Sequence, residues 1–186
     1  MADKLSMTSY GILGLLTFGA KSGYDLTKQA ERTIGYFWTP AKSQIYSELR
    51  RLADTGHVRE KLVAQETRPD KRIYSLTPRG RAALEEWLAD PDFAPDSIRS
   101  VNLLKVFFGA HAPRDVLISR IKELAAHSET TLAYLRSVED EIKGQADLLF
   151  PYLTVRSGLL HSQATIRWAK EVLGLIEDGD DGKEGS

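Results

Sequence analysis

Apolar residues in the first 90 positions recur at helical spacings in three short segments, 6–18, 23–34 and 40–55. Each segment begins at or directly after a Ser or Thr that can cap the free N–H groups of a helix, and a glycine, a common helix stop, follows each one. The predicted caps are Ser6, Ser22 and Thr39, the last followed by Pro40 at the first helical position. The pattern therefore predicts three consecutive helices.

The pattern then changes to two segments of strand character, 58–66 and 71–76, on either side of a turn at 67–70. Thr77 and Pro78 open a fourth helix, 78–89. Three helices, a β-hairpin and a further helix, in this order, predict a winged helix-turn-helix.

The second half of the chain is predicted to be helical, beyond a Pro- and Asp-rich boundary at 90–96. We predict a short helix at 97–108, a long helix from Pro113 to about residue 142, and a last helix from Pro151 to Glu177. The long helix carries apolar residues at the spacing of a helix-packing seam: Leu117, Ile121, Leu124, Leu132, Leu135, Val138 and Ile142.

The fold class is thus mainly α with a small β-hairpin. The expected domains are a winged helix-turn-helix DNA-binding domain at 1–90, a helical dimerisation domain at 97–177 and a disordered acidic tail at 178–186.

Composition restricts both chemistry and location. The chain has no cysteine, which excludes disulfides and thiolate sites. It has no apolar run of roughly 20 residues and no signal-peptide pattern, so we expect a cytoplasmic protein without a membrane partner.

The formal net charge is −1, but residues 40–81 hold ten Lys and Arg against five Asp and Glu. Such a segment indicates either an anionic partner or a solvated surface.

The third predicted helix has one apolar and one polar side. The apolar stripe would pack against the first two helices: Ala41, Ile45, Leu49 and Leu52. The other side and its flanks offer groups that can bind base edges and phosphates: Lys42, Ser43, Gln44, Tyr46, Ser47, Arg50 and Arg51. Any surface helix also turns polar residues to solvent, and Glu48 and Asp54 would repel phosphate.

The predicted hairpin adds a second basic cluster: Arg68, Lys71 and Arg72, with Arg59 and Lys61 on the partner strand. Such a wing can lie along the DNA backbone or in the minor groove, where electrostatic attraction dominates. It can equally be a hairpin tip with ordinary surface charges. Tyr74 is predicted to be a core or cross-strand residue.

The first 90 residues resemble the PadR-type regulators in several motifs that occur in the family's order. These motifs are Ser22–Leu26, Phe37–Pro40, Gln44–Leu52, Gly56–Val58, Arg72–Gly80 and Ala82–Leu88. The second half is similar to the larger subgroup of that family, which ends in a virulence-activator-like helical region. The similar segments there are Leu103–Phe108 and Ile166–Lys170.

The resemblance implies a homodimer in which the last helices of two protomers pack on one another and on the partner's N-terminal helix. It implies a sequence-specific transcriptional regulator, usually a repressor, that binds a pseudo-palindromic double-stranded operator. It further implies a phosphate contact for Tyr46 and groove contacts for Ser43 and Gln44.

A small aromatic or hydrophobic effector is also implied, because members of the smaller subgroup bind phenolic acids or hydrophobic drugs. Several aromatic residues could line such a site or instead pack in the core or the dimer interface: Phe107, Phe108, Tyr152 and Trp168, together with Tyr134 and Phe150.

No catalytic, metal or cofactor site is expected. The four histidines show no metal-ligand spacing, and there is no nucleophile elbow, phosphate-binding glycine loop or dinucleotide fingerprint. Two classes of function stay open: an operator-binding repressor, and a winged-helix protein-interaction module that binds no DNA. The basic segment 40–81 and the polar side of the third helix favour the first.

Overall fold

The computed structural model describes residues 5–64, 70–92 and 99–181. The chain divides into two compact units, Met1–Ala94 and Pro95–Ser186. Within the described ranges the first unit contains four α-helices and a three-stranded sheet, and the second contains three α-helices and two short 3-10 turns.

The helices of the first unit are α1 (Met7–Leu16), α2 (Gly23–Thr33), α3 (Lys42–Asp54) and α4 (Pro78–Ala89). Three of them begin at a hydroxyl cap, as predicted. The side chains of Ser6, Ser22 and Thr77 accept hydrogen bonds from the backbone N–H groups of Ser9, Asp25 and Gly80. Each bond satisfies one N–H group that the start of a helix leaves without an intrahelical partner.

Helix α3 begins two residues later than the sequence predicts, at Lys42. The predicted cap at Thr39 is wrong, because its hydroxyl donates to the Gly35 carbonyl (2.9 Å) and closes the preceding turn. Ala41 stands at the N-cap position in extended backbone, and its N–H donates to the side-chain oxygen of Gln44 (3.1 Å).

A three-stranded antiparallel sheet lies beside these helices, in the order β1-β3-β2. Its strands are β1 (Lys21–Ser22), β2 (Val58–Val63) and β3 (Lys71–Leu76). The predicted hairpin of β2 and β3 is confirmed, with Val58 opposite Leu76 and Val63 opposite Lys71. Strand β2 ends at Val63 rather than at residue 66, and 65–69 lie outside the described residues. Strand β1 was not predicted, because an alternating pattern cannot be recognised in two residues.

The core of the first unit lies between α1, α2, α3 and the sheet. Ile45, Leu49 and Leu52 are buried, as the α3 stripe predicts. Ala41 is exposed instead, because it precedes the helix. Tyr74 of β3 is buried, in agreement with its predicted core position. The rings of Tyr10 and Trp87 stack at a centroid distance of 4.7 Å and join α1 to α4.

A close backbone approach joins the sheet to the start of α4. The Thr77 N–H and hydroxyl both lie within hydrogen-bond distance of the His57 carbonyl oxygen (3.2 and 2.9 Å). A Cβ atom at Gly80 would lie 2.1 Å from that same oxygen. At position 80, in the first turn of α4, only glycine therefore fits without a shift of the backbone.

The second unit contains α5 (Val101–Phe107), α6 (Arg114–Ile142) and α7 (Leu149–Asp181). Helix α5 starts later than predicted, at a Ser100 cap. Helix α7 starts two residues before Pro151, which is tolerated there because the first turn has no intrahelical N–H bond to lose. It continues to Asp181, so residues 178–181 of the predicted disordered tail are helical, and 182–186 lie outside the described residues.

Helices α6 and α7 form an antiparallel pair. Arg114 at the start of α6 donates to the carbonyl of Ile176 near the end of α7, and Glu139 pairs with Arg156 (2.9 Å) at the opposite end. Buried positions recur every seven residues on both helices: Ile121, Ser128 and Leu135, and Val155, Ser162 and Ala169. Helix α7 also buries Leu159, between the first two of its positions. The predicted seam is confirmed at Ile121 and Leu135, and its other members are half-buried.

Candidate nucleic-acid interface

The polar side of α3 is exposed along its whole length. With Ile45, Leu49 and Leu52 turned into the core, all seven side chains proposed from the sequence face outward and are exposed: Lys42, Ser43, Gln44, Tyr46, Ser47, Arg50 and Arg51. We call these seven residues the recognition face. The structure brings them together on one helix, with hydroxyl and amide groups toward its N-terminal end and two guanidinium groups toward its C-terminal half.

The Gln44 and Ser47 side chains of the recognition face make hydrogen bonds at the start of the helix. The Gln44 side-chain oxygen accepts from Ala41 N–H, and the Ser47 hydroxyl donates to the Gln44 carbonyl (3.0 Å). A bidentate contact with adenine needs both the oxygen and the NH₂ group of a glutamine. In this conformation the Gln44 oxygen already accepts one of the two hydrogen bonds it can take, so an adenine would share it with Ala41.

Tyr46 is fixed by the first turn of α2. A Cβ atom at Gly23 would lie 2.6 Å from Cε1 of the Tyr46 ring, so the ring passes directly over the glycine. The Tyr46 ring therefore packs against the backbone of α2 on one side, and 40% of the residue remains exposed. A phenol held in this way can meet a phosphate with little further loss of conformational entropy.

The Glu48 side chain points toward α1 and not to the outward surface of α3. The sequence alone does not predict this orientation. The hydroxyl of the fully buried Ser9 on α1 donates to the Glu48 carboxylate, and Arg51 Nε lies 3.5 Å from it. Only 19% of the Glu48 side chain is exposed. Asp54, the other acid of the helix, is exposed. Ser9 lies 39 residues from Glu48, so helical periodicity gave no signal of this contact.

The two described candidate cations on β3, Lys71 and Arg72, are paired with carboxylates. Lys71 lies 2.9 Å from Asp25 of α2, and Arg72 lies 2.6 Å from Glu60 of β2. The Lys71 ammonium, helped by the Ser22 hydroxyl, holds the pKa of the Asp25 carboxyl below its ordinary value. Arg68 lies outside the described residues.

Four other cations make no ion pair with any residue the structure describes: Lys42, Arg50, Arg59 and Lys61. All four are exposed, on α3 and β2. Attraction to an anionic partner therefore rests on these more than on Lys71 and Arg72.

His57 links the end of α3 to the sheet. Its Nδ1 lies 2.8 Å from the Thr55 hydroxyl. Burial, followed by the charges of Arg79 and Arg51, lowers the pKa of His57. The imidazole is therefore neutral at pH 7 and adds no charge to the recognition face.

The aromatic residues proposed for a ligand fall into separate places within one protomer. Phe107 and Phe108 meet edge to face at a centroid distance of 5.0 Å at the C-terminal end of α5, and Phe107 is 81% exposed. Tyr152 and Trp168 are half-buried on α7. Sixteen residues of helix separate them, about 24 Å, so they do not line one small pocket within a single chain.

Neither a metal-ligand cluster nor a membrane-spanning helix is present among the described residues. No three His, Asp or Glu side chains come together as metal ligands in those parts of the chain. Among the helices described, none has both the length and the apolar content that a membrane crossing requires.

A helix-turn-helix with an exposed polar helix, followed by a hairpin wing and a helical second unit, defines the class of winged-helix regulators. Residues 12–86 match the family model described as transcriptional regulator PadR-like family, and residues 98–177 match the virulence activator alpha C-term model. The chain belongs to the PadR-like family of transcriptional regulators. The family expected from the sequence motifs is thereby confirmed.

The chain is similar to its relatives over nearly its whole length. A probable transcriptional regulator of Mycobacterium tuberculosis is 30% identical over 183 residues, which cover 91% of this chain and 97% of that protein. The negative transcriptional regulator PadR of Bacillus subtilis is 27% identical over 180 residues, which cover 93% and 99%.

Solved structures of the B. subtilis protein share this fold. Its complex with operator DNA superposes with a TM-score of 0.81 at 27% identity, over 92% of this chain and 99% of that one. Its complex with p-coumaric acid gives a TM-score of 0.74 at 26% identity, with the same coverage.

Proposed function

We propose that this regulator binds a pseudo-palindromic operator as a homodimer and represses transcription. One observation carries the proposal: between Lys42 and Arg51 the recognition face presents hydroxyl, amide and cationic groups, while Glu48, the one acid in that stretch, is turned to α1. The similarity to a negative regulator solved with operator DNA supports the same conclusion.

The recognition face would act as the groove-reading surface. The N-terminal end of α3 enters the major groove, where Ser43, Gln44 and Ser47 meet base edges. Tyr46, Lys42 and Arg50 bind phosphates on either side, and Arg51 reads a guanine or a phosphate. Because Lys71 and Arg72 are already paired with carboxylates, the wing contributes mainly through Arg59, Lys61 and Arg68.

The helical domain expected at 97–177 would provide the dimer interface and the effector site. Its α5 helix has no buried residue within its own protomer and exposes an apolar surface that includes Leu104, Phe107 and Phe108. In a symmetric dimer the two α3 helices would lie about 34 Å apart, one turn of DNA. A small aromatic or hydrophobic effector would bind among Phe107, Phe108, Tyr152 or Trp168 and release the operator, in line with the p-coumaric acid complex of the relative.

We assign the protein no catalytic role and place it in the cytoplasm, where a regulator of this family meets its DNA. The part of α7 at 178–181 and the acidic residues after it receive no role in this proposal.

The test is binding of labelled DNA from the protein's own upstream region, titrated at two salt concentrations with a scrambled competitor. Binding that survives the competitor and weakens steeply with salt would support the repressor. Equal, weak binding to both DNAs would place the operator elsewhere. No binding at low salt to any upstream fragment would contradict the proposal and favour a winged-helix module that binds proteins instead of DNA.

A further inference from the structure

Given the proposed binding of operator DNA, on which this step rests, we propose that Glu48 is a positioning residue that aims Arg51 at one base pair of each half-site. The sequence alone assigns Glu48 to phosphate repulsion. The structure gives it two partners, a buried hydroxyl on α1 and the guanidinium of Arg51 one helical turn away.

The carboxylate of Glu48 is anchored from below by a chain of hydroxyl groups. Ser6, the cap of α1, donates to the Ser9 hydroxyl (3.2 Å), and Ser9 donates to Glu48. Ser9 is fully buried, so its hydroxyl has no water to turn to and its orientation is fixed. Glu48 is thereby held to the body of the first unit rather than left free on the helix surface.

Arg51 meets that anchored carboxylate through Nε (3.5 Å), while 44% of its side chain is exposed. Within the described residues, neither Nη group makes a hydrogen bond or an ion pair. A carboxylate beside Nε restricts the guanidinium plane and leaves the Nη edge for another acceptor. Two parallel N–H donors on that edge match the O6 and N7 acceptors of guanine.

Charge and position predict opposite effects for the same substitution, which makes the role of Glu48 measurable. If Glu48 matters only as a negative charge near phosphates, then E48Q tightens binding to every DNA. If Glu48 aims Arg51, then E48Q weakens binding to the operator selectively, because the freed guanidinium loses its orientation but keeps its charge.

The experiment compares the full-length wild type with E48Q, R51A and the matched control D54N. Asp54 lies on the same helix and is exposed, so D54N removes one negative charge without touching Arg51. Each protein is titrated with the footprinted operator, with operators substituted at single base pairs, and with scrambled DNA of equal length. Thermal unfolding of each variant controls for folding.

We expect R51A to lose discrimination at one base pair by about 5- to 150-fold. E48Q should lose discrimination at the same base pair by about fivefold, with scrambled DNA bound as well as or better than by wild type. The double variant should discriminate no worse than R51A. D54N should tighten operator and scrambled DNA alike. S9A, which keeps both charges and removes the anchor, should show a smaller loss at the same base pair.

Two outcomes would overturn the proposal. In the first, E48Q binds operator and scrambled DNA more tightly, as D54N does, and Glu48 then acts only through its charge. In the second, E48Q binds both DNAs more weakly to the same extent, and Glu48 then has only a structural role. A failure of the proposed function shows separately, because wild type itself would then not prefer the operator to scrambled DNA.

Discussion

Gly80 offers a direct test of how the wing is joined to the helices. Its position allows no side chain, since a Cβ atom would lie 2.1 Å from the His57 carbonyl oxygen. In Gly80→Ala the two backbone segments must separate by roughly 1 Å or more to restore a normal contact. That movement stretches the bond from the Thr77 N–H to the same oxygen and the bond from the Thr77 hydroxyl, which His57 shares with the Gly56 carbonyl (2.8 Å).

The cost can be worked from these contacts. Two weakened hydrogen bonds cost about 1–3 kcal/mol together. Overpacking at the contact adds about 1–3 kcal/mol. The better helix propensity of alanine returns about 1 kcal/mol. We therefore expect Gly80→Ala to lower the free energy of unfolding of the first unit by about 3 kcal/mol.

The matched control is Gly14→Ala in α1, where a Cβ atom meets nothing within 4 Å. It should raise the free energy of unfolding by about 0.5–1 kcal/mol, since only helix propensity changes. Urea titrations would follow Trp87, which stacks on Tyr10, in a background with Trp38 and Trp168 replaced by Phe. A Gly80→Ala variant as stable as wild type would refute the close approach and, with it, the placement of α4 against the sheet.

The remaining predictions concern charge. Lys71 holds the pKa of Asp25 below its ordinary value, so the pair stabilises the fold above about pH 4. This stabilisation is lost as the pH falls through the folded pKa of Asp25. The difference in melting temperature between wild type and D25N should therefore shrink from pH 7 to pH 3. Because the pKa of His57 is lowered in the folded protein, this histidine binds a proton more readily in the unfolded chain. The melting temperature should therefore fall as the pH drops below about 6.5. In a melting series from pH 8 to 5.5, H57Q should show a smaller fall than wild type. In operator binding, R50A should reduce the slope of log K against log salt by about 0.9, whereas R72A, whose charge Glu60 already meets, should reduce it less; equal reductions would contradict the pairing.

Local patterns predicted much of the first unit. The caps at Ser6, Ser22 and Thr77 depend on residues three positions away, and the α3 stripe depends on a repeat within a single helix. Both can be recognised in one stretch of sequence. The sequence predicts the start of α3 two residues too early, because the Thr39 hydroxyl donates to the Gly35 carbonyl of the preceding turn instead of capping the helix.

Contacts between distant segments could not be predicted. The bond from Ser9 to Glu48 and the ion pair of Lys71 with Asp25 join residues far apart in the chain. Each contact changes how a charged residue would act on a phosphate. Glu48 leaves the outward surface, and Lys71 gains a partner. A list of charges along the sequence therefore overstates both the repulsion and the attraction that a phosphate would meet.

The contact of Tyr46 with Gly23 has a consequence for the evolution of the family. Any side chain at 23 would strike the ring, so the two positions should covary: where a relative carries a residue larger than glycine at the first, it should carry one smaller than tyrosine at the second. Selection on the exposed phenol of α3 would then leave its trace on a buried glycine of a different helix.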